Sequence, residues 1–364
     1  MSLAAEQDLL DRLRLIRSAN IGPVSYFQLL QRFGTAGKAL EAIPQLASRG
    51  GGKAPRLADL RDIAAEIEAV QRLGARYLFV GQGLYPPLLA EIDTAPPALI
   101  VRGNLLLFER PAVAIVGARN ASAAACRFAR DLACGLAEEG VLVVSGLARG
   151  IDSAAHRGAL GGGTAGIIAS GIDITYPPEN KELQEQIATG GLLIAEQPPG
   201  SEPLARHFPY RNRIIAGIAL GTVVVEAAPK SGSLITARLA GEAGREVMAV
   251  PGSPLDPRAQ GCNSLIRDGA TLIQSVADVL ETIRPITGGR FAAPGGDFAS
   301  EPVSADASDG DRRVVLNLLS HAPVQVDEII RQSGLMPATV QTVLLELELG
   351  GRLERHAGGR VSLG

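Results

Sequence analysis

The stretch Val113-Ala-Ile-Val-Gly-Ala-Arg-Asn-Ala-Ser122 starts as a short apolar run and ends in a glycine-containing turn before a helical pattern. Similar apolar runs follow, and helical stretches of roughly ten to twenty residues separate most of them. Buried, continuous strands that alternate with helices indicate a doubly wound, mostly parallel α/β sheet. The predicted strands are Val113–Gly117, Val141–Ser145, Ala165–Ala169, Leu192–Ala195, Thr222–Glu226 and Glu246–Val250.

Other segments flank this core, which we place at residues 76–285. Residues 1–75 have a helical pattern with a short Ala19–Pro23 turn, as in helix-hairpin-helix or sterile-alpha-like modules. Such a turn can direct backbone N–H groups at a phosphate, although the pattern favours the simpler interpretation, a small helical packing domain. Residues 286–310 are rich in Gly, Ala, Ser, Pro and Asp and lack periodicity, which predicts a flexible linker.

The C-terminal segment, 311–364, has the pattern of a winged helix. Helices are predicted at Arg312–Ser320, Val326–Ser333 and Ala338–Leu349, and a hairpin wing follows. The third helix carries no Lys or Arg, although a helix that enters a major groove usually needs basic or amide side chains. Two roles stay open for this domain, a contact with protein and the binding of duplex DNA.

Composition limits the range of functions. The 364 residues carry a formal net charge of −3, so any nucleic-acid site must be a local patch. Cys126, Cys134 and Cys262 are widely spaced, so we expect neither disulfides nor zinc, and a reducing cytosol fits. The N-terminus is broken by charge, unlike a signal peptide, and no apolar run is long enough to span a bilayer. We expect a soluble, cytoplasmic protein without a cofactor or metal.

Loops at the carboxyl ends of the predicted strands contain the candidate binding residues, as is usual in open α/β sheets. After the first strand, Gly117 permits a tight turn into a helix whose N-terminal N–H groups, together with Arg119, form a predicted anion pocket. The second strand ends in a similar glycine-containing loop. Its candidate residues are Ser145, Arg149 and Gly150.

These loops lack the signatures of two common enzyme classes. The G-x-G-x-x-G spacing is absent and no acidic residue ends the second strand, so we do not expect dinucleotide binding. Asp152 is expected to cap the following helix, and His156 lies one turn inside it. Because no Ser or Cys and carboxylate complete a triad at a readable spacing, we expect His156 to have a structural or supporting role.

The segment Arg206-His-Phe-Pro-Tyr-Arg-Asn-Arg213 contains three arginines, one histidine and two aromatic residues. Single-stranded nucleic acid is bound by this combination, with charge for the backbone and rings for the bases. Upstream, Tyr176 either offers a further stacking face or only shapes a turn, and Lys181 offers a phosphate contact. The contacts predicted within the cluster are Arg211, Asn212 and Arg213.

A second Gly/Ser loop follows the fifth predicted strand. A loop of this kind at a helix start donates N–H groups to an anion. It lacks the G-x-x-x-x-G-K-[ST] spacing, so we do not expect ATP hydrolysis. The predicted anion contacts in this loop are Ser231, Gly232 and Ser233.

Taken together, these strings resemble the DNA-processing protein A family, also called Smf. The resemblance covers most of 76–285 and includes, in order, VGAR, SGLARGID, GIDITYP, EQPPG, HFPYRNRIIAG, VVVEA, SGSLITA and VPG. The helical N-terminal segment and the C-terminal winged helix fit the usual plan of that family, in which the central domain is Rossmann-like.

The resemblance implies a role without catalysis. Members of the family bind incoming single-stranded DNA during natural transformation and load the RecA recombinase onto it. They pair as dimers through the C-terminal part of the Rossmann-like domain, which here corresponds to Gly261–Leu272. Carried over by motif, the implied DNA contacts are Gly117, Arg119, Ser145, Arg149, Gly150, Lys181, Arg211, Asn212 and Arg213.

Two other functions compete with this interpretation. Rossmann-like phosphoribohydrolases place a Gly-Thr-x-x-Glu motif after a strand, and Gly221-Thr-Val-Val-Val-Glu226 is close to that pattern with one residue too many. Release of free base from nucleoside monophosphates would favour such an enzyme. A winged-helix regulator with a ligand-sensing core is the other alternative, and preference for a defined duplex would favour it.

Overall fold

The structure, a computed structural model, describes residues 3–287, 306–356 and 358–364. The predicted linker lies outside these residues over 288–305. The described residues form two compact units: the first joins the N-terminal segment up to Ala65 to the C-terminal segment that ends at Gly364, and the second begins at Glu66.

The second unit contains a nine-stranded sheet and its helices. Its strands are β1 (Arg76–Phe79), β2 (Ala98–Gly103), β3 (Ala112–Gly117), β4 (Leu142–Ser145), β5 (Thr164–Gly171), β6 (Leu192–Gln197), β7 (Gly221–Val225), β8 (Glu246–Ala249) and β9 (Thr271–Leu272). Its helices are α5 (Pro87–Ala90), α6 (Ala123–Glu138), α7 (Ile151–Ala159), α8 (Lys181–Gly190), α9 (His207–Ile218), α10 (Gly232–Glu242), α11 (Gln260–Arg267) and α12 (Val276–Thr287), with 3₁₀ turns at Leu105–Glu109 and Pro178–Asn180.

The strand order is β1-β2-β6-β5-β4-β3-β7-β8-β9. Strands β3 to β9 run parallel to one another, which confirms the predicted doubly wound sheet. The antiparallel strands β1 and β2 extend one side of the sheet and were not predicted from the sequence. The chain reverses direction across the sheet between β3 and β7, and loops at the carboxyl ends of the strands meet beside this point.

Apolar residues fill both faces of the sheet because successive strand residues point to opposite sides. Along β3, Val113 and Ile115 belong to one buried cluster, and Ala114 and Val116 belong to the other. Helices cover each face, so strand residues are apolar on both sides. This explains the continuous apolar runs that predicted the fold.

The first unit combines helices from both ends of the chain. The N-terminal part contains α1 (Leu3–Arg17), α2 (Pro23–Phe33), α3 (Ala36–Arg49) and the start of α4 (Leu60–Arg72). The C-terminal part contains α13 (Asp309–Leu318), β10 (Val324–Gln325), α14 (Val326–Ser333), α15 (Pro337–Leu349), β11 (Leu353–His356) and β12 (Arg360–Leu363). Its three strands pair in the order β10-β12-β11, which confirms the predicted winged helix. Within the described residues, no helix has the length and apolar character that crossing a membrane requires.

Candidate nucleic-acid interface

Three side chains meet at the carboxyl edge of the sheet around the ring of Phe208, which lies in the first turn of α9. The guanidinium carbon of Arg119 lies 5.4 Å from the centre of this ring, and that of Arg211 lies 6.0 Å from it. Tyr176 packs edge-on against the same ring, with 5.7 Å between the centroids. We call Arg119, Tyr176, Phe208 and Arg211 the Phe208 cluster. It presents two positive groups and two aromatic rings together.

Arg211 is the buried member of this cluster, with 7% of its surface exposed. Its guanidinium lies directly over Gly146, where an added Cβ atom would come within 1.5 Å of Nη1. Its buried Nε has no hydrogen-bond partner among the described residues. Burial lowers the pKa of Arg211 to about 10, and the charge of Arg119 acts in the same direction. The charge of Asp152 acts in the opposite direction, and Arg211 stays positively charged at neutral pH.

Asp152 is the acidic residue whose charge acts on Arg211, and its carboxylate accepts hydrogen bonds from the backbone. It accepts hydrogen bonds from the N–H groups of Gly146 (3.1 Å) and Ala148 (3.4 Å). Burial raises the pKa of Asp152, whereas the positive charge of Arg211 and these N–H groups lower it. Asp152 was expected to cap α7, but Gly150 precedes that helix and Asp152 instead holds the loop before it.

One side chain from α7 and one from the 3₁₀ turn before α8 also fix the loop between β4 and α7. Ser153 donates through Oγ to the carbonyl oxygen of Ala148 at 2.6 Å. Asn180 donates through Nδ2 to the carbonyl oxygen of Leu147 at 2.8 Å. Leu147 has a φ of +54°, a left-handed conformation that a leucine keeps only when its surroundings hold it. The floor of the Phe208 cluster is therefore formed before any ligand binds.

His156 lies beneath this loop and is fully buried. Thr164 donates through Oγ1 to the carbonyl oxygen of Val143, so the same Oγ1 accepts from Nδ1–H of His156 at 2.7 Å. Burial, reinforced by the charge of Arg211, lowers the pKa of His156 to about 3. The imidazole is neutral at physiological pH and lies inside the protein rather than at the surface.

The N-terminus of α6, part of the predicted anion pocket, is occupied by the protein itself. Glu226 accepts hydrogen bonds from the backbone N–H of Ser122 at 2.8 Å and from its hydroxyl at 2.6 Å. Sequence reasoning considered Glu226 only as part of an enzyme motif. Its role at the N-terminus of α6 is revealed only by its contact with Ser122, which lies 104 positions earlier in the sequence. An added Cβ on Gly117 would come within 1.9 Å of the carbonyl oxygen of Val225, so this glycine permits close packing of β3 and β7.

The predicted residues of the β4–α7 loop have different environments. Ser145 is buried and donates through its hydroxyl to the carbonyl oxygen of Ile115 at 2.6 Å, which links two strands. Arg149 is exposed and forms an ion pair with Glu179. An added Cβ on Gly150 would lie 2.3 Å from the carbonyl oxygen of Ala118, so the two loops touch here.

The next predicted contacts are Lys181, Asn212 and the second Gly/Ser loop. Lys181 is exposed at the start of α8. Asn212 donates through Nδ2 to the carbonyl oxygen of Gly232 at 3.4 Å, which joins α9 to the second Gly/Ser loop. In that loop the hydroxyls of Ser231 and Ser233 lie 2.6 Å apart.

Arg213 is the predicted contact that the structure separates from the others. It pairs with Glu196 and donates at 2.6 Å to the carbonyl oxygen of Thr94. Its side chain is 8% exposed. This geometry supports a structural role for Arg213 rather than a contact with DNA.

The described residues contain no cluster of His, Cys, Asp and Glu that could hold a metal ion. The groups offered at the carboxyl edge are instead guanidinium groups, aromatic rings and backbone around a preformed loop. Fold and site together define a doubly wound α/β protein whose carboxyl edge presents guanidinium groups beside aromatic rings.

Comparisons with known proteins identify the family. The sequence profile of DNA recombination-mediator protein A matches residues 76–284, that of a DprA-like N-terminal HHH domain matches residues 6–69, and that of a DprA winged helix domain matches residues 299–359. The chain belongs to the DNA recombination-mediator protein A family, which confirms the resemblance found in the sequence.

Individual relatives and solved structures agree with this assignment. The chain is 48% identical to DNA processing protein DprA of Streptococcus pneumoniae over 198 residues, covering 54% of this chain and 70% of that protein. It is 35% identical to Protein Smf of Synechocystis sp. over 324 residues, covering 81% of each. The X-ray structure of the S. pneumoniae protein superposes with a TM-score of 0.59 at 40% identity, covering 68% of this chain and 82% of that one.

A second solved structure concerns a ligand. DNA processing protein A of Helicobacter pylori, described for its single-stranded DNA binding mode, superposes with a TM-score of 0.53 at 27% identity. The match covers 58% of this chain and 97% of that one.

Proposed function

We propose that this protein binds single-stranded DNA, without catalysis, at the carboxyl edge of its central sheet. The observation that carries the proposal is the Phe208 cluster, in which Arg119 and Arg211 lie on one aromatic ring. A phosphate beside Arg211 adds a negative charge, with oxygen acceptors, to the one that Asp152 supplies from inside the protein. Rings at the same place stack with bases without reading sequence. The solved structure of the H. pylori relative, which concerns single-stranded DNA binding, supports the same ligand.

The proposed contact surface extends from this cluster along the edge. Arg149 and Lys181 are exposed on one side of it, and Ser231 and Gly232 lie in the loop that Asn212 joins to α9. Gly117, Ser145, Gly150 and Ser233 pack the loops together, and we propose that they shape the surface more than they touch the ligand. Arg213 is not part of the proposed contact surface.

We further propose that the protein loads the RecA recombinase onto the bound strand during DNA uptake, and that it acts in the cytoplasm. It further includes a homodimer formed through Gly261–Leu272. This segment contains α11 and ends in the edge strand β9, where Leu272 is 45% exposed. A half-exposed leucine on an unpaired sheet edge fits a surface that a second subunit covers. Light scattering of the purified protein tests the proposed homodimer, and a monomeric mass would contradict it.

The nucleotide-processing alternative has less support. Its motif would require the Glu226 carboxylate to face a substrate, whereas both carboxylate oxygens accept hydrogen bonds from Ser122 at the start of α6. Incubation with nucleoside monophosphates and chromatography for free base separates the two functions. Base release that is lost in Glu226→Gln would establish the enzyme instead.

Fluorescence anisotropy with labelled poly-dT, beside a matched duplex and at two salt concentrations, tests the binding proposal directly. We expect preference for the single strand and a steep loss of affinity with salt, since each neutralised phosphate releases counterions. Arg119→Ala and Arg211→Met should each weaken binding by about 1–3 kcal/mol, the scale of a hydrogen bond to a charged group.

Arg76→Ala is the matched control for this experiment. Arg76 is exposed and lies on the edge strand β1, away from the Phe208 cluster, so its replacement should leave affinity unchanged. Equal affinity in wild type, Arg119→Ala and Arg211→Met would move the site away from this edge.

A further inference from the structure

The third helix of the winged domain, α15, is packed into the N-terminal helical domain. Leu345 and Leu349 are buried in the apolar cluster that α1, α2 and α3 form. Within that cluster they are the residues contributed from the far end of the chain. The core of the N-terminal domain is therefore completed by the helix that, in DNA-binding winged helices, enters the major groove.

The two domains also touch through their backbones. An added Cβ on Gly50, just after α3, would lie 2.1 Å from the carbonyl oxygen of Glu346. An added Cβ on Gly52 would lie 2.0 Å from the carbonyl oxygen of Gly350. No side chain fits at either position without displacing backbone, so the contact has the closeness of an interior rather than of a loose surface.

Polar contacts surround this apolar centre. Gln28 of α2 donates through Nε2 to Oε1 of Gln341 of α15 at 2.8 Å. Arg32 and Arg49 both pair with Asp306, the second at 2.7 Å. A buried centre with a polar rim is the arrangement of a specific protein interface.

The Ala19–Pro23 turn, considered in the sequence analysis as a phosphate site, faces the same interface. An added Cβ on Gly22 would lie 3.9 Å from Oε1 of Glu348, and one on Gly351 would lie 3.2 Å from Nδ2 of Asn20. Glu348 is buried and paired with Arg355 at 2.7 Å. The backbone N–H of Ala19 donates to the carbonyl oxygen of Arg56. A carboxylate and protein backbone therefore lie where a phosphate would need to approach.

We propose that α15 is a docking helix whose partner is the N-terminal helical domain of the same chain. In the intact protein, neither α15 nor the Ala19–Pro23 turn is a surface for duplex DNA. The composition of α15 supports this absence of a duplex-binding surface. The helix carries no basic side chain, and its two acidic side chains, Glu346 and Glu348, are buried. This proposal does not depend on single-stranded DNA binding at the sheet edge.

Hydrogen exchange of the full-length protein, followed by mass spectrometry, tests the docking. Gln341→Ala removes one contact across the interface and should speed exchange roughly two- to tenfold in α2 and α3 as well as in α15. Gln332→Ala is the matched control, because Gln332 bonds to Glu328 within α14. It should leave α2 and α3 unchanged. Faster exchange in α15 alone, with α2 and α3 as in the wild type, would overturn the proposal.

Photo-cross-linking of a mixed-sequence duplex to the wild-type protein provides an independent measurement. We expect no cross-linked peptide from residues 19–23 or 337–349, whatever the sheet edge binds. Cross-links in either segment would show that these elements are open to duplex DNA, and the proposal would fail even if single-strand binding at the edge were confirmed.

Discussion

Arg211 and Arg213 lie two residues apart on α9 and are equally buried, yet they face opposite environments. Residues two apart on a helix point about 200° from each other. Arg213 therefore reaches Glu196 and the carbonyl oxygen of Thr94 through its Nη atoms, whereas Arg211 reaches the Phe208 cluster. The buried Nε of each arginine lacks a hydrogen-bond partner among the described residues, so the two differ in what their Nη atoms meet. One arginine is neutralised by the fold and supports it. The other offsets part of the charge of Asp152 and otherwise faces the rings of the Phe208 cluster, which marks the ligand side of the helix.

Replacing each arginine in turn should separate stability from binding. Arg213→Ala should lower the free energy of unfolding by about 3 kcal/mol, at the low end for a broken buried pair because Glu196 is 20% exposed. Arg211→Met should lower it by less, about 1 kcal/mol, because Asp152 loses an opposite charge but keeps its hydrogen bonds from Gly146 and Ala148, and the methionine keeps much of the volume. Urea denaturation measures both effects.

Anisotropy on the folded variants supplies the other half of this test. Affinity for single-stranded DNA should fall roughly 10- to 100-fold in Arg211→Met and stay within about twofold in Arg213→Ala. If both variants lost stability and affinity together, the division of α9 into a structural and a ligand side would be wrong.

The charge of Arg211 should also affect the free energy of unfolding at low pH, because it acts on the buried His156. The pKa of this residue is lowered to about 3, first by burial and then by Arg211, so its neutral form stabilises the fold above the unfolded pKa of about 6.5. That contribution is lost as the pH falls from 6.5 towards 3. About 2 kcal/mol should be gone at pH 5, at 1.36 kcal/mol for each unit.

Urea denaturation of the protein between pH 7 and pH 5 measures this loss. His156→Gln should flatten the dependence, and Arg211→Met should weaken it, because it removes one cause of the lowered pKa. His207→Gln, at a partly exposed position of α9, is the control and should keep the wild-type slope. A slope that His156→Gln leaves intact would assign the acid sensitivity to other groups.

The smallest expected effect lies at the exposed rim of the cluster. Arg149 is paired with Glu179 on the surface, and DNA that contacts Arg149 must compete with this carboxylate. Glu179→Gln should therefore raise affinity about two- to fivefold at low salt, with less gain at high salt. Glu242→Gln removes a carboxylate from the exposed Arg238 pair on α10 and should have no effect. No gain in Glu179→Gln would remove Arg149 from the contact surface.

The sequence predicted the parallel strands β3 to β8, which read as apolar runs, but it missed the two-residue parallel strand β9, whose residues are exposed. It missed β1 and β2, which lie on the antiparallel side and include charged residues such as Arg76 and Arg102. It located the arginine-rich cluster but could not distinguish Arg211 from Arg213. The rotation of α9 depends on packing against strands far away in the chain. The role of Glu226 likewise depends on Ser122, 104 residues earlier.

The division of the first unit between the two ends of the chain has a consequence for biosynthesis. The N-terminal helices leave the ribosome first, but Leu345 and Leu349, which complete their core, are made only after the whole central sheet. At about 5–20 residues per second, this interval is roughly 15–60 s. The nascent helices must wait that long with part of their apolar face uncovered. Chaperone capture of truncated nascent chains should therefore concentrate on the earliest segment of the protein rather than on the sheet that follows it.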